Sequence, residues 1–168
     1  MLKLFSLNIL RIVVKTHLSK LLIYLFLRFT YLDKRENQKN TQNVFLILNR
    51  ERFKHDLESL RNDQRVKLLI LPSRIQTLIN SLFLKTDKSY LVDSYINSPP
   101  EVEKLLSFVS EFILALDKKY NLNAILTCSF YYRQDFPYQF SYSKTNIPFY
   151  ALFKEYLKDD CLYDTTVK

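Results

Sequence analysis

Residues 98–130 read SPPEVEKLLSFVSEFILALDKKYNLNAILTCSF, and this stretch decides the fold. Ser98 suits a helix cap, Pro99 the first helical position, and Glu101 completes a capping box. Val102, Leu105, Leu106, Val109, Phe112, Ile113, Leu116 and Tyr120 then fall within about a third of a helical wheel, which makes a core-facing stripe. After that helix, Ala124-Ile-Leu-Thr-Cys-Ser-Phe130 is an unbroken apolar run, the texture of a strand covered on both faces. A long amphipathic helix feeding a fully buried strand is half of a βαβ unit.

The same alternation extends outward on both sides. Val44-Phe-Leu-Ile-Leu48 reads as a buried strand, and Asn49 can cap a helix through about residue 61 with Phe53, Leu57 and Leu60 on one face. Val66-Lys-Leu-Leu-Ile-Leu71 is a second strand, stopped by Pro72. Ser73 with Gln76 forms a capping box ahead of Ile75, Leu78, Ile79, Leu82 and Phe83. Tyr90-Leu91-Val92 can form a short strand. Residues 131–146 are aromatic and polar, and Pro148 to Phe153 forms a fourth strand. The predicted fold is α/β: a Rossmann-like parallel sheet with helices on both faces, preceded by a basic apolar N-terminal helix. The expected organisation is an arm over 1–32, a linker over 33–43, the α/β domain over 44–157 and a polar tail over 158–168.

The 168 residues contain no glycine. Glycine lets a backbone enter φ > 0 or lie against a phosphate. Its absence excludes the Walker loop, the dinucleotide-binding glycine turn, the kinase loop and the G-x-S-x-G elbow. Phosphate or sugar must therefore be held by helix N-termini and side chains. His17 and His55 are the only histidines and Cys128 and Cys161 the only cysteines. They are too few and too scattered for zinc or a Cys/His dyad, so neither a metal site nor a cofactor is expected. Two cysteines make no disulfide scaffold, which favours a reducing, cytoplasmic setting.

Charge is uneven. Residues 1–40 hold eight Lys or Arg against two acids, a net of +6, and the remainder holds 17 against 15. The arm suits an anionic membrane surface, peripheral at the inner face, or packing on the protein's own body. Its apolar run over residues 21–27 is too short to span a bilayer. The near-neutral body carries no nucleic-acid motif, so nucleic acid ranks last among partners.

In an open parallel sheet, ligands bind beyond the carboxyl ends of the strands. That rule selects Asn49-Arg50, Pro72-Ser73-Arg74, Ser129 through Asp135, and Lys154-Glu155. Asn49 and Ser73 open helices whose N-termini can receive an anion. Ser129, Tyr131, Tyr132, Arg133, Gln134 and Asp135 gather a hydroxyl, two phenols, a guanidinium, an amide and a carboxylate. Tyr can stack on sugars and bases, and Arg suits phosphate. Lys154 and Glu155 follow the next strand, where Glu155 serves as an ion-pair partner of Arg133 or as a general base.

Residues 124–135 followed by Ile147 through Glu155, a buried strand with a polar aromatic loop and then an Ile-Pro strand ending in Lys-Glu, resemble the N-terminal half of GT-B-type glycosyltransferases. Poorly characterised proteins of bacterial surface-polysaccharide biosynthesis are among these. The resemblance covers residues 44–157. It implies an acceptor-side domain whose donor-binding domain is supplied elsewhere, inactive alone. Arg133 and Lys154 would hold phosphate or carboxylate, Tyr131 and Tyr132 would stack on sugar, and Glu155 or Asp135 would act as base. The competing expectation is a non-enzymatic interaction module with the same fold.

Overall fold

The structure, a computed structural model, describes residues 19–33, 43–48, 56–63, 65–84, 100–127 and 135–151. Its elements in chain order are α1 (Ser19–Phe29), β1 (Tyr31–Leu32), β2 (Asn43–Ile47), α2 (Asp56–Asn62), β3 (Val66–Ile70), α3 (Ser73–Phe83), α4 (Pro100–Tyr120), β4 (Leu122–Thr127), α5 (Phe136–Phe140), α6 (Tyr142–Thr145) and β5 (Phe149–Ala151). The expected α/β architecture is present. Five strands form one sheet in the order β1-β3-β2-β4-β5. β2 pairs in parallel with β3 and with β4, and β4 with β5. Only β1 runs antiparallel, on the edge beside β3.

Strand alternation sends neighbouring residues to opposite faces. Leu46, Leu69 and Ile125 enter one core with α1, α3, α4 and α5. Ile47, Ile70, Leu68 and Leu126 enter a second core with Leu57 and Leu60 of α2. The sheet is therefore covered on both faces, which explains why its strands read as continuous apolar runs. The crossovers β3→β4 and β4→β5 advance in the same direction, and their helices share one face. The crossover β2→β3 runs the other way, with α2 on the opposite face, as a uniform crossover handedness requires.

α4 is the spine of the first core. Val102, Leu105, Val109, Phe112, Ile113 and Leu116 are buried as their spacing predicts. Phe108 is buried as well and carries two ring contacts, with Phe26 of α1 and Phe83 of α3. Ser110 is tolerated inside because its hydroxyl donates to the Leu106 carbonyl at 2.7 Å. The helix stops at Asn121, which adopts φ 55°. The Asp117 carbonyl accepts the Asn121 N–H, and the Asp117 carboxylate accepts the Leu122 N–H at 2.8 Å. Ser98 and Pro99, expected to open this helix, and Tyr90 to Val92, a possible strand in the sequence, lie outside the described residues.

β4 begins two residues earlier than the sequence suggests, at Leu122. Its register against β2 shifts between Val44 and Phe45. There the Asn123 side chain accepts the Val44 N–H at 2.7 Å, so a polar residue replaces a missing ladder bond. Residues 136–145, read in sequence as an aromatic polar stretch, form two short helices instead. Pro137 sits in the first turn of α5, and Asn146 closes α6 with φ 56°.

The described part of the N-terminal arm is built into the body. Leu22, Ile23 and Phe26 are buried in the first core. The chain then leaves α1 through Thr30 and pairs Tyr31–Leu32 with β3. Asp33, the first residue of the expected linker, donates its N–H to the Leu68 carbonyl and forms a 2.6 Å ion pair with Arg61 of α2. Among the described residues no helix is long and apolar enough to cross a membrane.

Candidate functional site

β2 and β4 are neighbours, yet the chain leaves their carboxyl ends in opposite directions, toward β3 and toward β5. This is a topological switch point, where loops diverge and leave a crevice. Backbone bonds carry the sheet right up to it. The Leu48 N–H donates to the Leu126 carbonyl, and the Leu71 N–H to the Ile47 carbonyl.

The end of β4 supplies the chemistry. Thr127 is fully buried and its hydroxyl donates to Asp135 Oδ2 at 2.6 Å. Asp135 is 2% exposed. The bond joins the last residue of β4 to the residue that precedes α5. Asp135 also fixes the start of α5 through its carbonyl, which accepts the N–H groups of Tyr138 and Gln139. Tyr138 is fully buried, and its hydroxyl has no hydrogen-bond partner. Burial first, and the nearby Asp135 charge second, push its phenol well above the usual tyrosine range.

A second polar feature lies beyond β3. Pro72, extended at φ −60° and ψ 138°, occupies the cap position of α3 and supplies no side-chain cap bond, and the Gln76 side chain makes none back to it. The expected Ser73–Gln76 capping box is therefore not formed. Proline takes the cap, which moves Ser73 into the first helical position and turns Gln76 into the core. Gln76 is 0% exposed, and neither its amide oxygen nor its nitrogen has a hydrogen-bond partner. Arg74 is exposed at this end of the sheet. A groove of about 640 Å³ lies apart from these residues, between α4 and α5–α6, lined by Glu103, Lys104, Ser107, Phe140, Ser143 and Lys144.

Of the residues singled out in the sequence, Pro72, Ser73, Arg74 and Asp135 are described: the first three follow β3, and Asp135 reaches the end of β4 through Thr127. Asn49, Arg50, Ser129, Tyr131, Tyr132, Arg133, Gln134, Lys154 and Glu155 lie outside the described residues. Sequence reasoning missed Thr127, because a threonine inside an apolar run reads as strand filling. Among the described residues no three His, Cys, Asp or Glu side chains gather closely enough to hold a metal ion.

The fold and this edge define a Rossmann-like, doubly wound α/β domain with a polar clamp at its switch point. No family model, curated protein or solved structure matches the chain.

Proposed function

We propose that the β2/β4 switch point binds an anionic sugar-type ligand, and that the chain acts as the acceptor-side half of a glycosyltransferase-like system. One observation carries this reading: the buried Thr127–Asp135 bond, which lies at the carboxyl end of β4, where doubly wound sheets receive ligands.

In this reading Tyr131 and Tyr132 stack on the sugar, and Arg133 and Lys154 hold its phosphate. Glu155 takes the proton of the acceptor hydroxyl. Asp135 acts as a positioning residue, since one of its oxygens is engaged by Thr127 and the side chain is enclosed. The donor sugar and its binding domain come from a partner.

The test is a thermal-shift and calorimetric screen of the full chain with hexose phosphates, using inorganic phosphate and the free hexoses as controls. A hexose phosphate should raise Tm, and Arg133→Ala should abolish the shift while leaving the unliganded Tm in place. Absence of any shift across the panel would favour the non-enzymatic interaction module.

A further inference from the structure

α1 presents two opposed faces. Leu22, Ile23 and Phe26 point into the core, and Phe26 meets Phe108 edge-on at 6.1 Å between ring centroids. On the other side Leu21 is 58% exposed and Tyr24 59% exposed. Lys20 and Arg28 are exposed beside them. At 100° per residue, Lys20, Leu21, Tyr24 and Arg28 fall within an arc of about 100°. The helix carries no acidic residue. The Arg28 guanidinium lies over the Tyr24 ring at 5.3 Å, so cation and aromatic form one unit.

We propose that this outward face of α1 docks the protein onto an anionic membrane surface. The inference is independent of the ligand reading at the switch point. Its inner face fixes the helix, so α1 cannot roll to hide Leu21 and Tyr24. A leucine and a tyrosine one turn apart, flanked by two cations, match the boundary between acyl chains and headgroups. There the apolar atoms leave water, the phenol stays at the polar level, and Lys and Arg meet lipid phosphate. The charge matches as well: the first 40 residues hold a net of +6. An anionic leaflet attracts such a segment. Two large side chains and two charges give shallow, reversible and salt-sensitive attachment.

The experiment is flotation of the full chain with phosphatidylcholine vesicles and with vesicles that also contain phosphatidylglycerol, at low and high salt. The protein should float with the mixed vesicles, and less so at high salt. The double variant Leu21→Asp/Tyr24→Asp should lose about tenfold or more in partitioning, as should Lys20→Glu/Arg28→Glu. Both pairs change exposed positions, and circular dichroism with Tm confirms that the fold is kept. Tyr150→Asp is the control. Tyr150 is also exposed but pairs with Leu126 of the second core, on the sheet face opposite α1, so this variant should float like the parent. Equal flotation of the folded Leu21/Tyr24 variant overturns the proposal. So does equal binding to neutral vesicles, or binding to duplex DNA in place of lipid.

Discussion

At single residues, this chain solves with asparagine what others solve with glycine. Among the described residues φ is positive only at Asn121 and Asn146, which close α4 and α6. Asparagine tolerates the left-handed region better than other residues that carry a Cβ. Asn121→Ala should therefore cost about 1 kcal/mol of unfolding free energy, whereas Asn121→Gly should be neutral or slightly stabilising. Urea denaturation of the two variants checks the contrast. Tyr138 makes the opposite prediction. Its buried hydroxyl has no partner, so Tyr138→Phe should leave stability unchanged or raise it by up to about 1 kcal/mol. The phenol also sets a pH dependence. Its pKa is raised in the fold, so the unfolded chain loses the proton first, near pH ~10. Tyr138 thus contributes stability that is intact below about pH 10 and drains away as pH rises further. Denaturation followed across the alkaline range should show a shallower loss for Tyr138→Phe than for the parent.

At the level of elements, Phe26 is the largest of the three side chains, with Leu22 and Ile23, that seat α1 in the core. Phe26 is fully enclosed and packs against Phe108, so Phe26→Ala should cost about 3–5 kcal/mol, read from denaturant midpoints. The switch-point clamp is lighter. Thr127→Val keeps the shape and removes the donor to Asp135, for an expected loss of about 1–3 kcal/mol. β2, β3, β4 and α4 were legible in the sequence, because burial on both faces writes unbroken apolar runs and a long helix repeats its stripe several times; β5 was legible from its apolar run although Tyr150 in it is exposed. α5 and α6 were not, since five and four residues complete little more than one turn and show no period. β1 was hidden for another reason: Tyr31 and Leu32 continue an apolar helix without a change in texture. Of the site, its place at the strand ends was legible from topology. The Thr127–Asp135 bond was not, because it joins a residue that reads as core to one that reads as loop. The Gln76 reading failed because proline, a poor capping side chain, still holds the cap position through its extended backbone.

Across the whole molecule, the sheet and its two cores define a unit that reaches back to α1 and β1. Removing residues 1–32 would strip Leu22, Ile23 and Phe26 from the first core and unpair the edge of β3. The truncated chain should be less stable by at least about 5 kcal/mol, visible in Tm and in amide-exchange protection of β3. Point variants on the outer side of α1 therefore test membrane docking more cleanly than deletion does. The α1–α4 contact also sets an order of events during synthesis. Phe26 leaves the ribosome about 80 residues ahead of its ring partner Phe108. In that interval the apolar side of the nascent helix is without its partner, the condition in which chaperones capture emerging chains. α1 is thus made well before the helix that encloses Phe26, and a holdase at the exit tunnel should meet its apolar face before α4 has emerged.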